Sequence, residues 1–211
     1  MSDEGEVILD QTGRVLGPRA QTTRQRLLDA TTGLLDEKSL RDLRVADIAR
    51  QVGTSPAAFY QYFKDVEDAV LCLAGQASNE MPSILEHLDG DWRGEAGLER
   101  ARRIASAFID HWDQHRAVLR IRNTASDEGD ARFQAVRSEA MQPVLMGLAA
   151  QVKRNRGDKP ATGEHPLAAA AGLAAILERL AAYRRELERF GVTRDDLVET
   201  SARIVHRTVT G

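Results

Sequence analysis

The chain has 211 residues, of which 42% are hydrophobic and 29% charged, and its net charge is −3. That length suits one large domain or two small ones, with enough chain to bury a core. No apolar run reaches the roughly 18–20 residues of a membrane helix, the acidic start MSDEGEVILD is not a secretory signal, and the single cysteine, Cys72, excludes an internal disulfide.

These exclusions predict a cytoplasmic protein with no membrane partner. Leu, Ala, Arg and Glu are abundant and long β-branched runs are missing, which predicts an all-α fold. Charge is unevenly placed. Residues 13–64 carry nine Lys/Arg against five Asp/Glu, whereas residues 1–12 carry four acidic groups and no basic one. A basic block on an acidic body is the footprint of a nucleic-acid-binding module, although an excess of this size also arises by chance.

In chain order, residues 1–19 lack periodicity and read as a flexible arm. Arg14 and Arg19 are placed there either to reach a DNA backbone or minor groove, or to form a tail without contacts. Leu27, Leu28, Thr31, Leu34 and Leu35 then recur at helical spacing and predict a first helix over about 21–37. Val45, Ile48, Ala49 and Val52 share one face of a second, short helix. Gly53 follows where a helix ends in a left-handed residue, which glycine adopts without a Cβ penalty. After Thr54, Ser55 is a good N-cap and Pro56 fits the first helical position, where a missing N–H costs nothing. GTSP therefore reads as stop, turn, start, the signature of a helix-turn-helix. In the third helix Phe59 and Phe63, four apart, face the core. Ala57, Tyr60, Gln61 and Lys64 fall elsewhere, with Tyr62 either packing or reaching out. Gln is suited to bidentate bonding of adenine, and Tyr and Lys to phosphates.

The run Ile48-Ala49, Val52-Gly53, Ser55, Phe59-Tyr60, Phe63 and Glu67 resembles, in residues and spacing, the DNA-binding domain of TetR-family transcriptional regulators. The resemblance covers about residues 21–70. It implies a DNA-binding set of Arg44, Thr54, Ser55, Pro56, Ala57, Tyr60, Gln61, Tyr62 and Lys64. Two positions depart from the family pattern. Arg44 stands where a threonine usually caps the second helix and touches phosphate, and Val66 stands where a lysine usually opens the fourth. Arg44 and Lys64 are the residues placed to supply those contacts. The implied organisation is an arm (1–19), a helix-turn-helix domain (20–66) and a ligand-binding and dimerisation domain (67–211), about nine helices in all.

Beyond Asp65 the pattern predicts a long fourth helix bent or broken at Pro82. A loop over 89–95 follows, then an amphipathic helix ending near Gln114 with Leu98, Ile104, Phe108, Ile109 and Trp112 inward. Next come a short helix from His115, the loop SDEGD, a long helix from Ala131 with Phe133, Met141, Val144 and Leu145 on its apolar side, a loop over 157–166, and a final helical pair. Ala168–Ala171, Gly172, Ala174 and Ala175 leave one helix of that pair with little bulk, which suits close helix packing. The family pairs its last two helices with their copies, so the resemblance implies a homodimer through Leu173, Ile176, Leu177, Leu180 and Tyr183 with Leu197, Ile204 and Val205. The alternative is an intramolecular Ala-rich core helix. Phe108, Trp112, Phe133, Met141 and Leu145 (with Met146 nearby) are candidates to line a site for a lipophilic effector, such as a long-chain fatty acyl thioester, or are simply core. Arg120 and Arg122 are candidates for an anionic head group.

His111 and His115, at i and i+4, have a zinc-compatible spacing. A third ligand is needed and the sequence names none, although Asp113 and Glu128 exist. No metal or cofactor is therefore assigned, and no P-loop, GxGxxG or GxSxG motif occurs. The reading is a DNA-binding regulator rather than an enzyme: a repressor that holds a palindromic double-stranded operator as a homodimer and is released by its effector. A helical metal-dependent hydrolase using His111 and His115, and a helix-turn-helix that docks protein, remain as alternatives.

Overall fold

The computed structural model describes residues 11, 13–156 and 165–211. Among them the chain forms ten helical segments: α1 Pro18–Glu37, α2 Val45–Val52, α3 Pro56–Phe59, α4 Val66–Glu80, α5 Pro82–Leu85, α6 Gly94–Asp127, α7 Ala131–Arg156, α8 Pro166–Ala182, α9 Arg184–Glu188 and α10 Arg194–Thr210. The all-α expectation holds, with no strand of two or more residues among the described residues. The arm expected over residues 1–10 and 12, and most of the loop expected at 157–166, lie outside the described residues.

Helix boundaries follow local chemistry where such signals exist. Helix α1 starts at Pro18, earlier than the apolar stripe alone suggests, because proline fits the first helical position. Leu16 before it is buried, and its carbonyl accepts from Gln21 Nε2 at 2.9 Å. Pro82 separates α4 from α5, as expected. Residues 94–127 run as two helical stretches that meet at a kink at His115 (φ −115°, ψ 19°), where the sequence reading ends one helix and starts the next. One segment differs from that reading. The stretch after Pro166 breaks at Tyr183 (φ −95°, ψ 6°), so α8 and α9 are separate.

The packing has three apolar centres. The first fills the body between α5, α6, α7, α8 and α10, with Ile104, Phe108, Val144, Leu148, Leu177 and Val205 among its members. The second lies inside the three-helix head and continues beyond it. Leu27, Phe59 and Phe63 of the head share it with Val70 and Leu73 of α4, Val118 of α6 and Phe133 of α7. The third joins Ala77 at the end of α4 to Ile109 and Trp112 of α6 and to Ala181 and Leu197.

Close backbone approach fixes one glycine. A Cβ on Gly97 would stand 1.8 Å from the Trp92 carbonyl oxygen, which also accepts from His206 Nε2 at 2.9 Å. Gly33, exposed on α1, has open space within 4 Å of the point where a Cβ would stand. Gly97→Ala is therefore expected to destabilise the protein by about 1–3 kcal/mol through overpacking. Gly33→Ala is expected to stabilise it by about 0.5–1 kcal/mol, because the helix interior favours alanine. Urea unfolding of the two variants beside the parent checks both signs.

Candidate functional site

The head presents the expected turn in detail. Gly53 closes α2 with φ 73°, and Thr54 N–H returns to the Ala49 carbonyl at 2.9 Å, closing the helix end. Arg26 Nη2 donates to the Val52 carbonyl at 2.9 Å, satisfying another terminal acceptor. Ser55 Oγ accepts from Ala58 N–H at 3.2 Å, and Pro56 opens α3. Regular helix lasts only to Phe59, after which Tyr62 and Phe63 N–H both bond the Phe59 carbonyl. Phe59 and Phe63 are fully buried, with ring centroids 5.3 Å apart. These anchors turn Ser55, Pro56, Ala57, Tyr60, Gln61 and Lys64 outward, all exposed, whereas Thr54 and Tyr62 are half-buried. Tyr60 stands edge-on to Phe59 at 5.9 Å and stays 52% exposed, so its hydroxyl end is accessible.

Both departures from the family pattern have a structural counterpart. At the start of α2, Arg44 caps with its backbone only. Its N–H is accepted by Asp47 Oδ2 at 3.4 Å, and the guanidinium is left exposed. A hydrogen bond from Lys38 holds the Asp47 carboxyl below its usual pKa. Val66 is preceded by Asp65, whose carboxylate accepts from Asp68 N–H at 2.8 Å and caps α4. Lys64 N–H bonds Asp68 Oδ2 at 2.9 Å, and its side chain is exposed. Gln11 ties back to this segment through its N–H to the Gln61 carbonyl (3.2 Å) and its amide to the Tyr62 carbonyl (3.1 Å). Of the two arm arginines, Arg14 is exposed and Arg19 lies within the first turn of α1. Arg44, Pro56 and Tyr60 also border an open groove of about 1520 Å³ between head and body, whose far wall includes Arg120, Ile121 and Phe133.

The five expected effector-lining residues do not come together. Phe108, Met141 and Leu145 share the body centre, Trp112 lies in the third centre, and Phe133 belongs to the head-and-body centre. Met146 is 55% exposed. Arg120 is on the groove, but Arg122 is buried and bound. Arg122 Nη2 and Asn123 Nδ2 both donate to Glu178 Oε1 at 3.0 Å, and Arg137 Nη2 donates to Glu178 Oε2 at 2.7 Å. This hub joins α6, α7 and α8. Burial lowers the Arg122 pKa, and the Glu178 charge opposes that shift.

The expected dimer set also divides. Leu173, Leu177, Leu197 and Val205 are buried in the chain's own core, so they have no surface to offer a partner. Their apolar spacing marks the inner faces of α8 and α10. Ile176 and Tyr183 are exposed and Leu180 and Ile204 half-buried; with exposed Ala168, Gly172 and Ala175 they leave a low-bulk outer face on α8.

The His111 and His115 pair singled out in the sequence has a third member that sequence reasoning missed. Glu80, the last residue of α4, joins His111 and His115, and their ligating atoms lie within 4.8 Å of one another. His115 Nε2 contacts Glu80 Oε2 at 2.8 Å, and Gln114 Nε2 donates to the same oxygen at 3.0 Å. His111 Nε2 is buried without a hydrogen-bond partner. Burial, then the neighbouring His115, push the His111 pKa down to about 4. No local signal links Glu80 to residues some thirty positions away.

Comparison with known proteins places this geometry. Residues 27–68 match the family described as bacterial regulatory proteins, tetR family, and residues 85–211 match the tetracyclin repressor-like, C-terminal domain. The HTH-type transcriptional regulator EthR of Mycobacterium tuberculosis is 26% identical over 175 residues, spanning 82% of this chain and 81% of its own. Among solved structures, the fatty acid degradation regulator FadR of Bacillus halodurans is similar with a TM-score of 0.67 at 13% identity, covering 92% of this chain and 97% of that one. FadR of Bacillus subtilis in complex with stearoyl-CoA is similar with a TM-score of 0.60 at 17% identity, covering 89% and 98%.

The Glu178 hub has a measurable cost of removal. Glu178→Ala leaves the buried Arg122 guanidinium uncompensated, and the expected loss is about 3–5 kcal/mol in urea unfolding. Combining Arg122→Met with Glu178→Leu removes both charges and is expected to recover most of that loss.

Proposed function

The chain belongs to the TetR family of bacterial regulatory proteins, and we propose that it is a cytoplasmic repressor that binds a palindromic operator as a homodimer and is released by a lipophilic effector. DNA-binding regulation is the family's activity, and the hydrolase and protein-docking alternatives are set aside on that ground. The observation that carries the DNA reading is the Gly53–Pro56 turn, which projects exposed Ala57, Tyr60, Gln61 and Lys64 from a head anchored by Phe59 and Phe63. In this reading Gln61 reads base edges, while Tyr60, Lys64 and Arg44 bind phosphates.

One such head covers only a few base pairs, so a two-fold dimer supplies the second half-site. The outer face of α8, with Ile176 and Tyr183, supports pairing there. Its low bulk lets two copies of the helix approach closely. For the effector, Phe108, Met141 and Leu145 in the body centre support an elongated apolar ligand, and the stearoyl-CoA bound by the Bacillus subtilis neighbour points to a fatty acyl thioester. An effector wedged beside α6 and α7 favours another placement of α4 and of the head. Linkage then requires DNA to weaken effector binding by the same factor, typically about 1–3 kcal/mol.

Selection of bound duplexes from a random pool at about 150 mM salt tests the reading, because non-specific phosphate binding is salt-suppressed there. The expected result is an enriched palindrome, whose binding stearoyl-CoA weakens. Salt-sensitive binding with no enriched sequence would overturn the reader assignment. Gln61→Ala is expected to lose about 1–3 kcal/mol of base discrimination at one position of each half-site. Lys64→Ala is expected to weaken all sequences alike and to flatten the salt dependence by roughly one phosphate contact per head.

A further inference from the structure

We propose that Glu80, His111 and His115 form a site for a divalent transition-metal ion of the zinc type, placed where α4 ends and α6 kinks. This inference goes beyond the DNA and effector readings and rests on neither. The donor set is two imidazole nitrogens and one carboxylate oxygen, the three-ligand set that leaves a fourth position for water on Zn²⁺, and that also suits Co²⁺ and Ni²⁺.

Four observations carry it. The i, i+4 spacing on α6 brings the two rings together, tilted by 55° with centroids 5.1 Å apart. Glu80 arrives from a different helix and already contacts His115 at 2.8 Å, so the third ligand comes from tertiary structure. Gln114 donates to the ligating carboxylate at 3.0 Å, which orients it as an outer-shell partner does. His111 Nε2 is buried with no hydrogen-bond partner, a costly state for a ring nitrogen that metal binding relieves.

The geometry needs little change. Donors about 2.0–2.2 Å from a tetrahedral zinc lie roughly 3.3–3.5 Å from one another, against a present spread within 4.8 Å. Side-chain rotations of up to about 1.5 Å close the widest gap and open the 2.8 Å His115–Glu80 contact enough to admit the ion. Glu80 is 48% exposed on its side chain, so an ion has a path in. Beyond the triad, the charges of Arg122 and Glu178 reach His111, and they are paired with each other.

An ion here ties the last turn of α4 to the middle of α6, in the arrangement seen.

The test uses the full-length, tag-free chain after removal of metal with EDTA. Titration with Co²⁺ alone is expected to give saturable visible d–d absorption at one ion per chain, displaced by Zn²⁺. His111→Gln and Glu80→Gln are each expected to weaken binding by at least about tenfold, consistent with the larger effect of ligands over outer-shell partners. His165→Gln, outside the cluster, is expected to bind as the parent does. Zn²⁺ is also expected to raise the Tm of the parent and not of the two ligand variants. Should His111→Gln fail to fold, the isosteric Glu80→Gln carries the comparison.

No saturable absorption in the parent, or undiminished binding in a folded ligand variant, would overturn the proposal. Because these readouts need no DNA, failure to select an operator leaves them intact, and their failure leaves the operator experiment intact.

Discussion

The packing of α4 against both halves of the molecule is the constraint on which the rest depends. Ala69 and Ala74 are fully buried, with Val70 and Leu73 beside them, so α4 lies tightly between the head and helices α6 and α7. The head's core does not close on itself. Val118 and Phe133, from the body, complete the cluster that Leu27, Phe59 and Phe63 begin. Burying one such aromatic side chain is worth roughly 1.5–3 kcal/mol. A free swing of the head would expose that surface, so the head moves only as α4, α6 and α7 rearrange together. Close-packed interiors have discrete alternative packings rather than a continuum, and the proposed effector response would select among them.

Polar interactions divide into a few that hold the architecture and many that do not. Glu178 and Arg122 are 7% and 2% exposed, and the Glu178 carboxylate accepts from three side chains on two other helices. Desolvation there makes mismatch costly, which fixes the mutual rotation of α6, α7 and α8. The Arg102 cluster with Glu95, Glu99 and Glu199 is more exposed, and such pairs contribute little each. Specific placement of the body helices therefore comes from apolar packing plus one buried charge hub. The surface ion pairs add solubility and modest support.

How much was legible in the sequence follows from the range of the signal. The helix-turn-helix is written in neighbouring residues. Gly53 at a left-handed position, Ser55 as cap, Pro56 as first residue and the Phe59/Phe63 pair each act within one turn, and all occur as read. The kink at His115 has no proline or glycine beside it, yet the sequence reading places a helix boundary between Gln114 and His115, where the kink falls. Periodicity marked Leu173, Leu177 and Phe133 as apolar-facing but not what they face. The first two turn to their own core, and Phe133 completes the head rather than joining Phe108. Arg122 looked like a free anion receptor only because its partner, Glu178, is 56 positions away. Glu80 was invisible as a companion of His111 and His115 for the same reason.

The kink gives α6 two functions that a straight helix would merge. Its first half faces the body centre through Ile104 and Phe108, where the effector reading places its ligand. Its second half reaches the head's core through Val118 and lines the head-to-body groove through Ile121. A displacement started in the first half must pass His115 to reach the second, and His115 is held to the end of α4 through Glu80. Whatever stiffens that junction favours one packing of α4 over another. Whatever favours another packing must in turn weaken what binds at the junction, because coupling free energies are reciprocal. In the proposed reading the effector, the operator and an ion at the Glu80–His115 junction would act on one shared equilibrium, the seating of α4 between head and body.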